Sequence, residues 1–335
     1  MAATLSRSSR PPTGRTKAAG RKNLSDHLAA LPTNAPRGIW GAVLLAIGND
    51  GEIDWNATRE TVANLCASGV GGIYSNGTAC EFHCQTEGEF DRLSALVAEE
   101  AGRAGLPFQI GISQSNARVA RERLRRVVEL SPSAVQFTLP DWWPPSDDEI
   151  ARFAKGLAET APSLPLVLYN APHAKRRLTL EGIARLREAV PTLIGAKLSG
   201  GDENWFDEMR KLLPGFSVFV PGHTLATGYA QGAHGSYSNV ACLSPKAALS
   251  WWRQILSGAP DAVEMQARIQ AFLADHVLPF RARYQVSDAA LDKAMAAAGG
   301  WGKIGPRLLW PYSCVPDAEI VPLAKAVRTR FPEWW

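Results

Sequence analysis

The 335-residue sequence predicts a (β/α)8 barrel with a C-terminal helical appendage. From Gly38 onward, short β-branched or apolar runs alternate with longer amphipathic segments. The alternation recurs eight times at intervals of roughly 25–35 residues, as parallel strands joined by right-handed crossovers require. Eight such units in about 220 residues is the size of a closed barrel. A doubly wound open sheet is less well supported, because no glycine fingerprint follows the first strand and no change of pattern marks a switch point.

In chain order, the strands are read at 38–47 ("GIWGAVLLAI"), 71–78 ("GGIYSNGT"), 108–113 ("FQIGIS") and 134–140 ("AVQFTLP"). Four more follow at 164–170 ("LPLVLYN"), 193–199 ("LIGAKLS"), 216–222 ("FSVFVPG") and 234–240 ("HGSYSNV"). "TEGEFDRLSALVAEEAGRAG" and "NARVARERLRRVVELSP" are typical intervening helices. In the second, Val119, Leu124, Val127, Val128 and Leu130 are expected to face the core, with the arginines in water. Helical patterns over 245–257, 262–280 and 289–298 close the barrel and build the appendage. The expected division is a leader at 1–30, the barrel at 31–257 and a helical region at 258–335.

Composition narrows the function classes. At 46% hydrophobic and 20% charged, the chain can bury a sizeable core. Six Arg or Lys and no acid fall in the first 25 residues, leaving the remainder near neutral, without the basic surface that nucleic acid would require. The leader is Arg- and Ser-rich, which slightly resembles an organelle transit peptide; a disordered leader or an upstream start codon is the plainer reading. No run approaches the ~18 apolar residues of a membrane span. Five cysteines without framework spacing fit a reducing compartment, and the expected location is cytoplasmic.

A barrel of this kind carries its chemistry at the C-terminal ends of its strands. The residues there are Gly77, Thr78, Pro140, Tyr169, Asn170, Lys197, Ser199, His223 and Ser238. Lys197 stands out, inside the apolar strand "LIGAKLSGG" and followed by small residues. Burial disfavours an ammonium ion, and a neutral amine can attack a ketone to form a Schiff base. A snorkelling or paired lysine is the plainer alternative. Tyr169 ends the preceding strand, roughly 5 Å away, within reach of whatever the lysine holds. The stretch "NGTACEFHC" (76–84) admits two readings, the start of a metal site or a strand-to-turn seat for a carboxylate. A structural zinc would need a second ligand pair downstream, whereas Cys66, Cys242 and Cys314 are scattered singly. No metal is expected.

"NGTACE", "LYNAP" and "GAKLSGGD" resemble, in order, three motifs of the dihydrodipicolinate synthase/N-acetylneuraminate lyase superfamily: Gly-Thr-Thr-Gly-Glu, Tyr-Asn-x-Pro and Gly-x-Lys. The likeness runs from about Gly38 to Val240, and the 28-residue step from Tyr169 to Lys197 matches the family spacing. It implies a class I aldolase or lyase with Lys197 as Schiff-base former and Tyr169 as acid/base. It also implies that Gly77, Thr78 and Ala79 bind the carboxylate of pyruvate or another 2-oxo acid, which suits an anion at a strand-to-helix turn. No cofactor is implied beyond the lysine itself, and relatives are usually dimers or tetramers, so a homo-oligomer is expected. Cys80 and Cys84 then become wall or core thiols, and His83 a packing or capping residue. Glu81 is expected behind the site or as a helix-start carboxylate serving the macrodipole.

Departures from the pattern bear on the substrate. Ala79 replaces a second Thr, "LPDWWPP" replaces a Tyr-Tyr relay, and the arginine five residues after the tyrosine would fall at Ala174, beside Lys175, Arg176 and Arg177. These disfavour lysine biosynthesis by a 4-hydroxy-tetrahydrodipicolinate synthase. A tryptophan at 142 and the C-terminal "GPRLLWPYSCVPD" look more like hydratase-aldolases that cleave arylidene-pyruvates to an aldehyde and pyruvate. An indole there offers a flat surface for an aryl group, unless Trp142 and Trp143 form a subunit interface or lid. Keto-deoxy sugar-acid dehydratases or aldolases are the nearest competitor, with Ser236, Ser238, Asn239 and His223 as hydroxyl partners. A retired, purely binding barrel has no reason to keep Lys197, Tyr169 and Thr78 together, and a metal-dependent aldolase lacks its ligand set.

Overall fold

The computed structural model describes residues 31–335, so the expected leader at 1–30 lies outside the described residues. Eight parallel strands close into a barrel in strict chain order. They are β1 Gly38–Ala42, β2 Gly72–Ser75, β3 Phe108–Gly111, β4 Ala134–Phe137, β5 Leu166–Tyr169, β6 Leu193–Lys197, β7 Ser217–Phe219 and β8 Gly235–Tyr237. The seam joins β8 to β1 with Gly38 opposite Gly235. A Cβ on Gly235 would lie 2.3 Å from the Gly38 carbonyl oxygen, so closure at this point depends on glycine.

The strands are shorter than the apolar runs that announce them, because those runs continue past the ladder into the barrel mouth. Val43 to Ile47 stay buried after β1 ends at Ala42, and Ile47 then makes a single antiparallel bridge to Ile53.

The outer helices are α1 Trp55–Ala67, α2 Glu87–Ala104, α3 Ala117–Val128, α4 Asp147–Thr160, α5 Leu180–Ala189, α6 Glu203–Leu212 and α7 Leu225–Ala230. Asp54, Thr86, Asn116, Ser146, Thr179 and Asp202 cap the first six by accepting from main-chain N–H groups. Each such cap contributes roughly 0.5–2 kcal/mol. Thr86 with Glu89 and Ser146 with Glu149 close full capping boxes. On α3 the expected face is corrected in two places. Val128 is exposed, while Arg123, expected in water, is wholly buried. Its guanidinium lies 4.4 Å over the Phe90 ring, pairs with Glu87 at 2.7 Å and donates to the Ser113 carbonyl at 2.9 Å. Two of its N–H groups converge on one Glu87 oxygen, and this paired, stacked geometry is what allows an arginine to replace a core residue.

After β8 come a short α8, Asn239–Leu243, and α9, Pro245–Ser257, which completes the ring. The appendage follows as α10 Asp261–Phe272, a π-turn at Leu273–Val277, α11 Leu278–Tyr284, α12 Asp288–Gly299 and α13 Ile320–Arg330. The helix expected at 262–280 is thus one rod with a widened turn. Pro279 follows that turn, and its missing N–H and bulky ring cannot be fitted into regular α-helix. Helix α13 was not anticipated from the sequence. Helix α12 packs on α8 and on the 3-10 turn Thr78–Cys80, at the end of the barrel where the strands finish. Among the described residues no helix is long and apolar enough to cross a membrane.

Candidate active site

Barrel register brings the first two groups together. Tyr169 and Lys197 end β5 and β6 as direct ladder partners, and Asn170 N donates to the Lys197 carbonyl at 3.1 Å. The Lys197 Nζ lies 4.1 Å from the centroid of the Tyr169 ring. Neither the amine nor the phenol hydroxyl has a hydrogen-bond or ion-pair partner among the described residues. Both open into a cavity of about 550 Å³ at the mouth, which also reaches Thr78, Ala79, Asn170, Ser199 and His223.

The turn after β2 is held in an unusual backbone shape. Asn76 and Glu81 both adopt left-handed conformations, with φ of 53° and 56°, and bracket the turn that contains Thr78. Such strain persists only where the surroundings enforce it, and it clusters at functional sites. Here the enforcement is visible. The Asn76 carbonyl presses on β3 so closely that a Cβ at Gly111 would sit 2.3 Å from it. The Asn76 amide donates to Ser94 Oγ at 3.1 Å. Cys80 N and Glu81 N bond back to Gly77 and Thr78, while the N–H groups of Thr78 and Ala79 have no main-chain acceptor among the described residues. Two unengaged donors beside a hydroxyl suit a carboxylate. Gly77 itself does not line the cavity; a Cβ there would meet the Tyr74 ring at 2.6 Å, so its contribution is room.

Glu81 is not a helix-start carboxylate. It is wholly buried, 2.5 Å from Lys293 Nζ of α12, and accepts from Leu309 N at 2.6 Å. The Lys293 hydrogen bond proper goes to the Arg307 carbonyl at 2.6 Å, so its contact with Glu81 is ionic. His83 packs edge-on against Tyr312 at 4.8 Å rather than capping a helix. Burial pushes the thiols of Cys80 and Cys84 up to about 12 and about 11 respectively. Among the described residues no three His, Cys, Asp or Glu side chains converge on a possible metal site.

The other expected site residues divide. His223 lines the cavity, and its Nδ1 faces the Asn239 amide nitrogen at 3.0 Å, while Asn239 Oδ1 accepts from His223 N. That fixes Nδ1 as the acceptor and places the ring proton on Nε2. Burial lowers the imidazole pKa against the opposing Asn239 bond, leaving a neutral donor. Asn170 lines the cavity, but its amide is engaged at both ends by Leu178, holding down the loop after β5.

Ser238 is corrected. Its hydroxyl accepts from Ala241 N at 3.1 Å as the cap of α8, and Asn239 lines the cavity in its place. Trp142 is also corrected. It is 82% exposed and off the cavity wall, because Asp141 accepts from Lys175 N at 2.7 Å and Lys175 Nζ donates to the Trp142 carbonyl, turning the loop outward.

Several lining residues were missed by sequence reasoning. Tyr74 and Tyr237 form the floor, edge-to-face at 4.6 Å, with the Tyr237 hydroxyl donating to Gln109. The appendage supplies an apolar wall of Leu273, Val277, Leu278 and Met295, together with Asp292. One signal for the last was present: "LDKAMAAAGG" sets two adjacent charges, Asp292 and Lys293, in a stretch that is otherwise apolar from Ala289 to Gly300.

A model of the dihydrodipicolinate synthetase family matches residues 35–281. A trans-O-hydroxybenzylidenepyruvate hydratase-aldolase from Sphingobium xenophagum is 28% identical over 306 residues, which is 84% of this chain and 89% of that protein. A 4-hydroxy-tetrahydrodipicolinate synthase from Thermomicrobium roseum is 30% identical over 226 residues, covering 66% of this chain and 73% of the relative. Among solved structures, a Ruminococcus gnavus sialic acid aldolase carrying a catalytic lysine mutation superposes with a TM-score of 0.79 at 18% identity. That likeness covers 91% of this chain and 100% of the aldolase.

Proposed function

The chain belongs to the dihydrodipicolinate synthetase family, and from that premise we propose that it is a class I lyase or aldolase forming a Schiff base between Lys197 and pyruvate or another 2-oxo acid. The observation that carries this reading is the meeting of Lys197 and Tyr169 as ladder partners at one mouth, facing the free donors of the turn after β2.

In the proposed mechanism Thr78 and the N–H groups of the turn hold the substrate carboxylate. The Lys197 amine adds to the 2-oxo carbon, and Tyr169 supplies the proton that converts the resulting alkoxide to a carbinolamine hydroxyl. Loss of water leaves an iminium. In C–C cleavage Tyr169 takes the proton of the hydroxyl beyond the breaking bond, whose electrons flow into the iminium to leave an enamine and an aldehyde. In C–O cleavage the electrons come from the neighbouring C–H bond, and Tyr169 carries that proton to the hydroxyl, which the enamine expels as water. No metal or organic cofactor enters.

We assign the substrate to the arylidene-pyruvate type. The support is the apolar wall from α10 to α12 and the similarity to a hydratase-aldolase over most of the chain. A flat apolar group fits beside Leu273, Leu278 and Met295 without the hydroxyl partners that a sugar acid requires. One observation favours keto-deoxy sugar acids instead: the neutral His223, held by Asn239, presents a donor on the opposite wall. A cytoplasmic homo-oligomer completes the reading, with the exposed Trp142 and Trp143 available for contact between copies.

The test is incubation with pyruvate and sodium borohydride, then intact and peptide mass spectrometry, with Lys197→Ala as control. A reduced pyruvyl adduct on Lys197 is expected. Folded protein that yields none refutes the pyruvate reading. Screening aryl aldehydes against sugar aldehydes as partners then separates the two substrate classes.

A further inference from the structure

Three charged residues on or beside the inner face of α12 have different fates. Asp288 is paired with Arg281 of α11. Lys293 is paired with Glu81. Asp292, which lines the same cavity as Lys197, has no hydrogen-bond or ion-pair partner among the described residues. A half-buried carboxyl group that faces a cavity with no protein donor is available to whatever the cavity holds, and such groups concentrate where they are used. We propose that Asp292 is a second acid–base residue of the cavity, protonating the carbinolamine hydroxyl as it leaves and deprotonating the water that later hydrolyses the iminium.

The groups that face Asp292 come from several elements. They are Lys197 on β6, Tyr74 on β2, Cys242 on α8 and Asp288 one turn earlier on its own helix. Arg281 is spent on Asp288. Burial is the main cause that raises the Asp292 carboxyl to about 7; Asp288 adds to it and Lys197 opposes it. Tyr74 and Cys242 are each pushed upward by their own burial and stay neutral, so neither can exchange protons with it near neutrality. An acid that titrates near neutral pH is populated in both forms, which suits a group that must give and then retake a proton.

The proposal rests on the Schiff-base reading above. In the forward step the carbinolamine C–O bond breaks as the Lys197 nitrogen lone pair forms C=N. The hydroxyl takes the Asp292 proton and departs as water, leaving a carboxylate beside the new cation. In hydrolysis an incoming water forms the C–O bond and gives its proton to Asp292. The C=N electrons return to nitrogen, and the acid is restored. Tyr169 serves addition from the β5 side, and Asp292 serves loss of water from the appendage side.

The test measures the rate of adduct formation. Enzyme and pyruvate are mixed, quenched with borohydride at intervals and weighed intact, from pH 5.5 to 9, for wild type and Asp292→Asn. The carboxamide is close in shape to the carboxyl group and cannot move a proton. The expected result is about a 10²-fold slower approach to a similar final extent of Lys197 adduct. The wild-type inflection near neutral pH should also vanish in the variant. Equal rates with an unchanged profile would overturn the role of Asp292 while leaving the Schiff base intact. No adduct in the wild type would instead remove the parent reading, and this one with it. A merely structural role would lower the final extent while keeping the inflection, and that also counts against the proposal. Should D292N fail to fold, the wild-type profile decides: a rate without an inflection near neutral pH overturns it.

Discussion

Replacing Lys293 by Met should destabilise the protein severely and damage the carboxylate seat, although the residue lies far along the chain from that seat. Both members of the Lys293–Glu81 pair are wholly buried, 2.5 Å apart. Removing the ammonium strands the Glu81 charge, with Leu309 N as its only remaining hydrogen-bond donor among the described residues. Breaking a buried pair from one side costs about 3–5 kcal/mol. Loss of the Lys293 bond to the Arg307 carbonyl adds about 1 kcal/mol. Against a total stability on the order of 5–15 kcal/mol, that is a large fraction. Urea denaturation should show the loss as a lower midpoint, and borohydride trapping should need more pyruvate, because Glu81 anchors the turn that carries Thr78. The double substitution Glu81→Gln with Lys293→Met leaves no stranded charge and should recover much of the lost stability. A K293M midpoint within about 1 kcal/mol of wild type would refute the reasoning. So would a double variant no better than the single one.

Gly77→Ala should slow adduct formation and cost about 1–3 kcal/mol, because its Cβ would meet the Tyr74 ring at 2.6 Å; a melting curve and trapping rate equal to wild type would contradict this. The Asp292 carboxyl, raised from 3.8 to about 7, makes stability fall as pH rises, since the unfolded chain releases this proton first. The decline should run from about pH 4 to pH 7 and reach ~4 kcal/mol at most; D292N should lack it and exceed wild type in urea midpoint at pH 8. Trp142→Ala should leave trapping and aldehyde preference unchanged, whereas Leu278→Ala should weaken aryl aldehydes selectively in a competition assay. The reverse pattern would return the indole to the pocket.

The eight strands could be read from the sequence because each is a short apolar run with a helix pattern behind it, and closure follows from their number. Lys197 and Tyr169 were legible for a related reason: polar residues at the end of an apolar strand have one place to go. Trp142 and Ser238 were misjudged because their side-chain directions depend on contacts between loops, such as Asp141 to Lys175, that no periodicity encodes. The appendage wall was invisible for another reason. Leu273, Val277 and Leu278 read as an ordinary amphipathic face, and only the docking of α10 to α12 over the mouth turns that face toward substrate. Arg123 was misplaced because an arginine enters a core only when a partner such as Glu87 and a ring such as Phe90 are waiting, and both lie on another helix.

The wall built by α10 to α12 also bears on how such proteins diversify. Lys197 and Tyr169 belong to strands that the barrel cannot lose, while the apolar surface that meets the remainder of the substrate lies in a later segment of chain. Mutation or recombination in residues 258–300 can therefore alter what is accepted without disturbing Tyr169, Lys197 or Thr78. One condition travels with any such exchange: the incoming segment must bring a cation for Glu81. A library confined to that segment, with Asp292 and Lys293 held constant, would sample new substrates on an unaltered reaction.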